Sequence, residues 1–343
     1  MNTQTLNTHS NENKTFYNKA LLKRLTANLL FYKYGQKKAL PKNSGNKVNF
    51  RKFNSLKPAL TPLAEGVTPE GSNLNITKLE ATVKQYGDYV VVSDILDMLG
   101  IDPVITETSE VLGEQGGLTI DTVVGNAIAN TTNKFYAGEV STENAITAKA
   151  NGNDVKKIVR NLRKSNVKPF ADGYFIGVIS PEQAYDLQSD TLWQDVSKYN
   201  GGEDIKKGEV GKIHGVKFIE STNLPKVYKY TKTEDTDINL AKTYYVESAG
   251  VYNIVKNPVK ESLSTYYEAT DELHCALIFG QDAYGVVDVE NSAEGTPSII
   301  VKSAGSAGTA DPLNQRSTIG WKALFTAVVL NDLAICSYET KIS

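Results

Sequence analysis

The chain has 343 residues, of which 40% are apolar and 22% charged, with a formal net charge of −2. Those values exclude a wholly disordered chain and a small domain dependent on disulfide or metal staples. They leave room for about two compact domains with some extended, loop-rich parts.

The charge is unevenly spread. Positions 1–60 hold twelve Lys or Arg residues against one acid, Glu12, which leaves 25 basic and 38 acidic residues for the rest. A cationic leading segment on an acidic body is expected to meet nucleic acid or the acidic body of a neighbouring copy. Cys275 and Cys336 lack a CxxC spacing and fit free thiols in a reducing cytoplasm. The polar start gives no secretory signal, and the apolar run at 323–330 is too short to span a bilayer, so no membrane role is expected.

In chain order, the first fourteen residues are polar and expected to be disordered. The spacing then predicts a helix over 15–34, capped by Thr15, with Tyr17, Leu21, Leu25, Leu29 and Tyr32 on one stripe. Lys19, Lys23, Arg24 and Lys33 ride on other faces, and Gly35 is a stop. The stripe precedes any evident core and is expected to pack on protein elsewhere.

Period-two alternation predicts a long hairpin over 47–93, one arm over 47–56 and the other over 74–93. Between them, Pro58, Pro62, Gly66, Pro69 and Gly71 mark an irregular tip. A two-stranded ribbon is marginal in water, so it is expected to lie across another subunit. Asp102 and Pro103 open a helical stretch to about Tyr136, with a break or kink expected at Gly113, Gly116 and Gly117. A further helix is expected over 153–165, capped by Asn153 or Asp154, with Val155, Ile158, Val159 and Leu162 inward.

From Tyr174 the pattern is α+β. A buried strand over 174–179 is followed by Ser180-Pro181-Glu182-Gln183, a helix start. A turn and strand follow over 213–219, and further strands over 243–255 and 273–289. Positions 303–309 read as a flexible connection, and 320–338 as a closing apolar element.

Catalytic constellations are weak. His9 lies in the polar tail and His214 beside a turn glycine. His274 precedes Cys275, but neighbours in a strand point to opposite faces, which removes a Cys–His dyad. No HExxH, metal-spaced Cys/His cluster or GxSxG occurs, and no cofactor is expected. The run 208–212 lacks the gap and hydroxyl of a phosphate loop, and Asp88, Asp94 and Asp97 fit capping and solvation. Two other classes stay open: a nucleic-acid-binding protein using the basic arm, and a hydrolase centred on Cys275.

The blocks 40–53 and 60–69 (Leu-Thr-Pro-Leu-Ala-Glu-Gly-Val-Thr-Pro) resemble phage major capsid proteins with the HK97-like fold. The blocks 85–87, 208–216, 280–285 and 319–323 are similar to the same family, so the likeness spans about 15–335. It implies an α+β fold with an N-terminal arm (1–46), an extended hairpin loop (47–93), a peripheral domain with a long spine helix (94–170 and 300–343) and an axial domain (171–299). It further implies a non-enzymatic virion shell subunit forming pentamers and hexamers, assembled in the host cytoplasm, with packaged double-stranded DNA held without sequence preference. A portal is expected beside it. So is a separate scaffolding protein, since about fourteen residues before the first helix leave no room for a fused one. Subunit-contact candidates are Phe16, Leu21, Leu25, Leu29, Pro62, Leu63, Glu65, Gly66 and Pro69. Candidates for facing DNA or an acidic neighbour are Lys19, Lys23, Arg24, Lys33, Lys37 and Lys38.

Overall fold

A computed structural model describes residues 29–41, 43, 45–53, 56, 58–60, 62, 66, 71–99, 104–190, 209–233, 244–248, 251–255, 266–289, 298–306 and 312–341. In chain order the elements begin with α1 (Leu30–Tyr34), β1 (Gln36–Leu40), β2 (Lys47–Phe53), β3 (Ile76–Thr82), β4 (Lys84–Ser93), α2 (Asp94–Leu99) and α3 (Val104–Ala129). Next come β5 (Lys134–Tyr136), α4 (Gly152–Lys164), β6 (Phe175–Ile179), α5 (Pro181–Ser189), β7 (Glu209–Ile213), β8 (Val216–Glu220) and β9 (Val227–Thr233). The remainder are β10 (Tyr244–Ser248), β11 (Val251–Val255), β12 (Tyr266–Phe279), β13 (Tyr284–Val289), β14 (Ser298–Lys302), β15 (Arg316–Val329) and β16 (Ile335–Lys341).

The chain forms two compact units, one from 1–127 and 284–330, the other from 128–283 and 331–343. These boundaries differ from the expected ones at 170/171 and 299/300. The reason is strand pairing: β13 pairs with β15, whereas β16 pairs with β12 and β5.

In the first unit β15 is the organising strand. It pairs antiparallel with β4, β13 and β14, and β1 joins parallel to β13. Its odd-numbered residues 317–325, Trp321 among them, face inward, while Arg316 and Lys322 face water. The helix α3 runs unbroken for 26 residues, so the kink expected at its glycines does not occur. Leu112, Gly113, Gly116, Gly117, Ile120 and Val124 are buried at three- and four-residue spacing, so the glycines belong to the packed stripe. A glycine costs a helix about 1 kcal/mol, which does not end one whose face is buried.

In the second unit β12 is central. Its first half lies between β9 and β10, and its second half between β16 and β6. The strand β6 is buried throughout, as its apolar run predicts. Ser180 and Gln183 form the reciprocal cap that starts α5. The helix α4 buries the expected Val155, Ile158, Val159 and Leu162, but Asn151 caps it, accepting from the Asp154 N–H at 2.8 Å. The closing element expected over 320–338 is two strands in two different sheets.

Candidate assembly surfaces

The hairpin is real but shorter than its pattern. β2 and β3 pair antiparallel from Lys47 opposite Thr82 to Phe53 opposite Ile76. The second expected arm divides at Val83, whose N–H donates to the Asn46 carbonyl at 2.8 Å; beyond it, β4 turns to β15 instead. The ribbon also has a local core, against expectation. Val48 and Phe50 from one strand and Ala81 from the other cluster with Leu40, Val83 and Val287. The Phe50 ring lies so close to Gly285 that a Cβ there would sit 2.6 Å from it. Any side chain at 285 would displace the ring.

Past the core the character reverses. Phe53, Leu60 and Leu74 are 60%, 84% and 56% exposed, and Leu56 and Ile76 are exposed as well. Exposed apolar patches beyond the usual size mark contact surfaces.

Of the expected contact residues, Pro62 and Gly66 are exposed near the tip, Gly66 with φ 76°, and Leu29 is half-buried. Phe16, Leu21, Leu25, Leu63, Glu65 and Pro69, with Lys19, Lys23 and Arg24, lie outside the described residues. Lys33, Lys37 and Lys38 are exposed, yet each touches a ring of its own chain, Tyr34, Tyr32 and Phe50 respectively. Lys38 also donates to the Asn49 carbonyl at 2.7 Å. Such cation–ring contacts contribute about 0.5–1 kcal/mol at exposed sites.

The suspected catalytic groups do not assemble. Cys275 is buried, its sulfur 3.2 Å from the Ser337 hydroxyl, and its thiol is pushed up to about 12 by burial and by Glu339. His274 points to the other side of β12, its Nε2 3.9 Å from Glu182. Asp88 accepts from Gln115 and from the Tyr89 N–H, and Asp94 from the Ile95 N–H. Among the described residues no group of three or more His, Cys, Asp or Glu could hold a metal. No described helix is long and apolar enough to cross a membrane.

Sequence reasoning missed a buried ionic cluster in the second unit. Glu339 is fully buried on β16, 3.2 Å from Lys134, which also pairs with Glu143. One Glu339 oxygen, Oε2, has no hydrogen-bond partner among the described residues. Burial pushes its carboxyl up to about 7, against the pull of Lys134. Burial alone would lower the Lys134 pKa; Glu339 and Glu143 overcome it and keep the ammonium charged. A carboxyl raised above its unfolded value of 4.5 binds protons preferentially in the folded state. The contribution of this group to stability is therefore fully present below pH 4.5 and is lost as pH rises to about 7, about 3 kcal/mol in all. Chemical denaturation of Glu339→Gln between pH 5 and 8 is expected to lack that decline; an unchanged slope would remove Glu339 as its source. An acid directly after the run Ile335-Cys336-Ser337-Tyr338 was the available signal.

A family model described as phage capsid protein matches residues 76–337. The chain belongs to this phage capsid protein family. The match takes in strands of both units and the whole of α3. Solved structures agree. The capsid of cyanophage P-SCSP1u is 17% identical with a TM-score of 0.59, over 92% of this chain and 89% of that one. The head of Helicobacter pylori bacteriophage KHP40 is 13% identical with a TM-score of 0.61, over 90% and 88%. The capsid of Ralstonia phage GP4 is 12% identical with a TM-score of 0.57, over 90% and 87%. At such identities the likeness concerns the fold, which is the mixed α+β, HK97-like fold of phage capsid proteins. No curated protein sequence matches the chain.

Proposed function

We infer that this capsid-family chain is the major capsid protein of a tailed bacteriophage, the self-assembling subunit of an icosahedral head. The observation that carries the reading is the ribbon, anchored by its own core at the base and apolar where it leaves the body. A neighbouring copy is the natural occupant of that apolar segment. Each copy then offers one surface and receives another, which closes into rings. In this reading the first unit, with its hairpin and long helix, serves as the peripheral domain, and the second as the axial domain.

The leading cations, twelve against one acid in positions 1–60, are proposed to meet packaged DNA or acidic neighbours, without sequence preference. The contacts of Lys33, Lys37 and Lys38 with their own rings favour the more upstream cations for that role. A scaffolding protein and a portal are proposed partners, with assembly in the host cytoplasm and no catalytic activity.

Purified subunit, imaged by negative stain at high concentration with and without scaffold, is expected to form closed shells. Removing residues 1–28 is expected to reduce shells at least about tenfold while leaving the subunit folded. The cut must stop there, because Phe31 and Tyr32 are core residues. A protein that stays monomeric in every condition, and binds DNA tightly with a steep salt dependence, would support the nucleic-acid-binding reading instead.

A further inference from the structure

Phe31 is held at both of its backbone groups. The Phe31 N–H donates to Asp121 Oδ1 of α3 at 2.7 Å, and the Phe31 carbonyl accepts from the Tyr284 hydroxyl of β13 at 2.5 Å. Phe31, Asp121 and Tyr284 are each at most 1% exposed. The helix α1 needs this help. Its cap residue, Leu29, makes no side-chain hydrogen bond, so an N–H of the first turn would otherwise go unpaired. An acid ninety positions downstream supplies what a local Ser or Asp supplies elsewhere. Burial, then Asp121, holds the Tyr284 hydroxyl well above its ordinary pKa, so it keeps the proton it donates.

The chain stays against β13 after the lock. A Cβ at Gly35 would meet Val286 at 2.6 Å and the Tyr284 ring at 2.8 Å, so only glycine passes there. From Gln36 onward β1 then pairs with β13.

We propose that Asp121 and Tyr284 are positioning residues that clamp the Phe31 backbone, through its N–H and its carbonyl, and so anchor the chain just after the cationic leading segment. A pull on that segment by a neighbouring molecule is delivered to α3 and β13. The hairpin core shares β13 through Val287. The clamp is a property of the single chain and does not depend on the capsid reading.

Hydrogen exchange on the full-length chain tests it. In Asp121→Ala, peptides covering 29–36 are expected to exchange about 10- to 100-fold faster, the loss of one buried, charge-assisted bond. Tyr284→Phe is expected to give a smaller increase in the same peptides, and Asp121→Asn, which keeps an acceptor, to stay near wild type. Trypsin is expected to cut Asp121→Ala first at Lys33. Unchanged exchange over 29–36 in both Asp121→Ala and Tyr284→Phe would overturn the clamp. So would an equal increase in peptides from β4 and from β12, which would mean general loosening. Should Asp121→Ala fail to fold, the Tyr284→Phe and Asp121→Asn pair carries the same comparison.

Discussion

Excising residues 54–75 and joining Phe53 to Ile76 through an Asn-Gly turn abolishes shells and leaves a folded subunit. The register licenses the cut, since Phe53 and Ile76 are directly opposed and a two-residue turn suits antiparallel strands. The base keeps its core of Val48, Phe50, Ala81 and Val83, so the ribbon stays attached. What disappears is the exposed set that includes Leu56, Leu60 and Leu74. Burying such side chains at an interface contributes about 1.5–3 kcal/mol each. Losing three raises the concentration needed for assembly by well over about 100-fold. Light scattering gives the assembly threshold and circular dichroism the fold. Shells of normal yield from the shortened protein would show that this segment is not the docking element.

Phe50→Ala destabilises the first unit by about 3–5 kcal/mol, the usual range for truncating a buried phenylalanine. The ring is buried, fills the space over Gly285 and carries the Lys38 ammonium at 5.1 Å. Gly285 has no side chain to offer to the vacancy. Phe50→Leu restores part of the volume and is expected to cost about half as much. Urea unfolding of the two variants measures the difference through the shift of midpoint at constant slope. A loss below about 1 kcal/mol in Phe50→Ala would mean that the ribbon base contributes little to the fold.

Local signals in this chain read truly. Ser180-Pro181 starts a helix because cap, proline and Gln183 all act within one turn. The run at 175–179 is a buried strand because five apolar residues in a row fit little else at that length. Readings that required partners far along the chain went astray. The alternation over 74–93 comes in three groups, 74–76, 79–83 and 89–91, and nothing in it reveals that β4 belongs with residues 316–325. Glycines at 113, 116 and 117 look like breakers until their burial is known. Asn153 and Asp154 were reasonable caps for α4, but Asn151 has the geometry. The ribbon's general place was legible from its prolines and alternation, and its core was not, because Leu40 and Val287 come from outside it. Asp121 is a single acid in the largely apolar stretch 118–124, and Glu339 directly follows Ile335–Tyr338. Sequence marks them as odd without saying what they hold.

The backbone passes between the two units at 127/128, 283/284 and 330/331. Synthesis therefore cannot finish either one early. The first lacks β15, to which β4, β13 and β14 all pair, until residue 329 has emerged, and the second lacks β16 until residue 341 has. A nascent chain on the ribosome presents no finished partner surface. A chain cut short before residue 316 lacks both the organising strand of the first unit and β16 of the second.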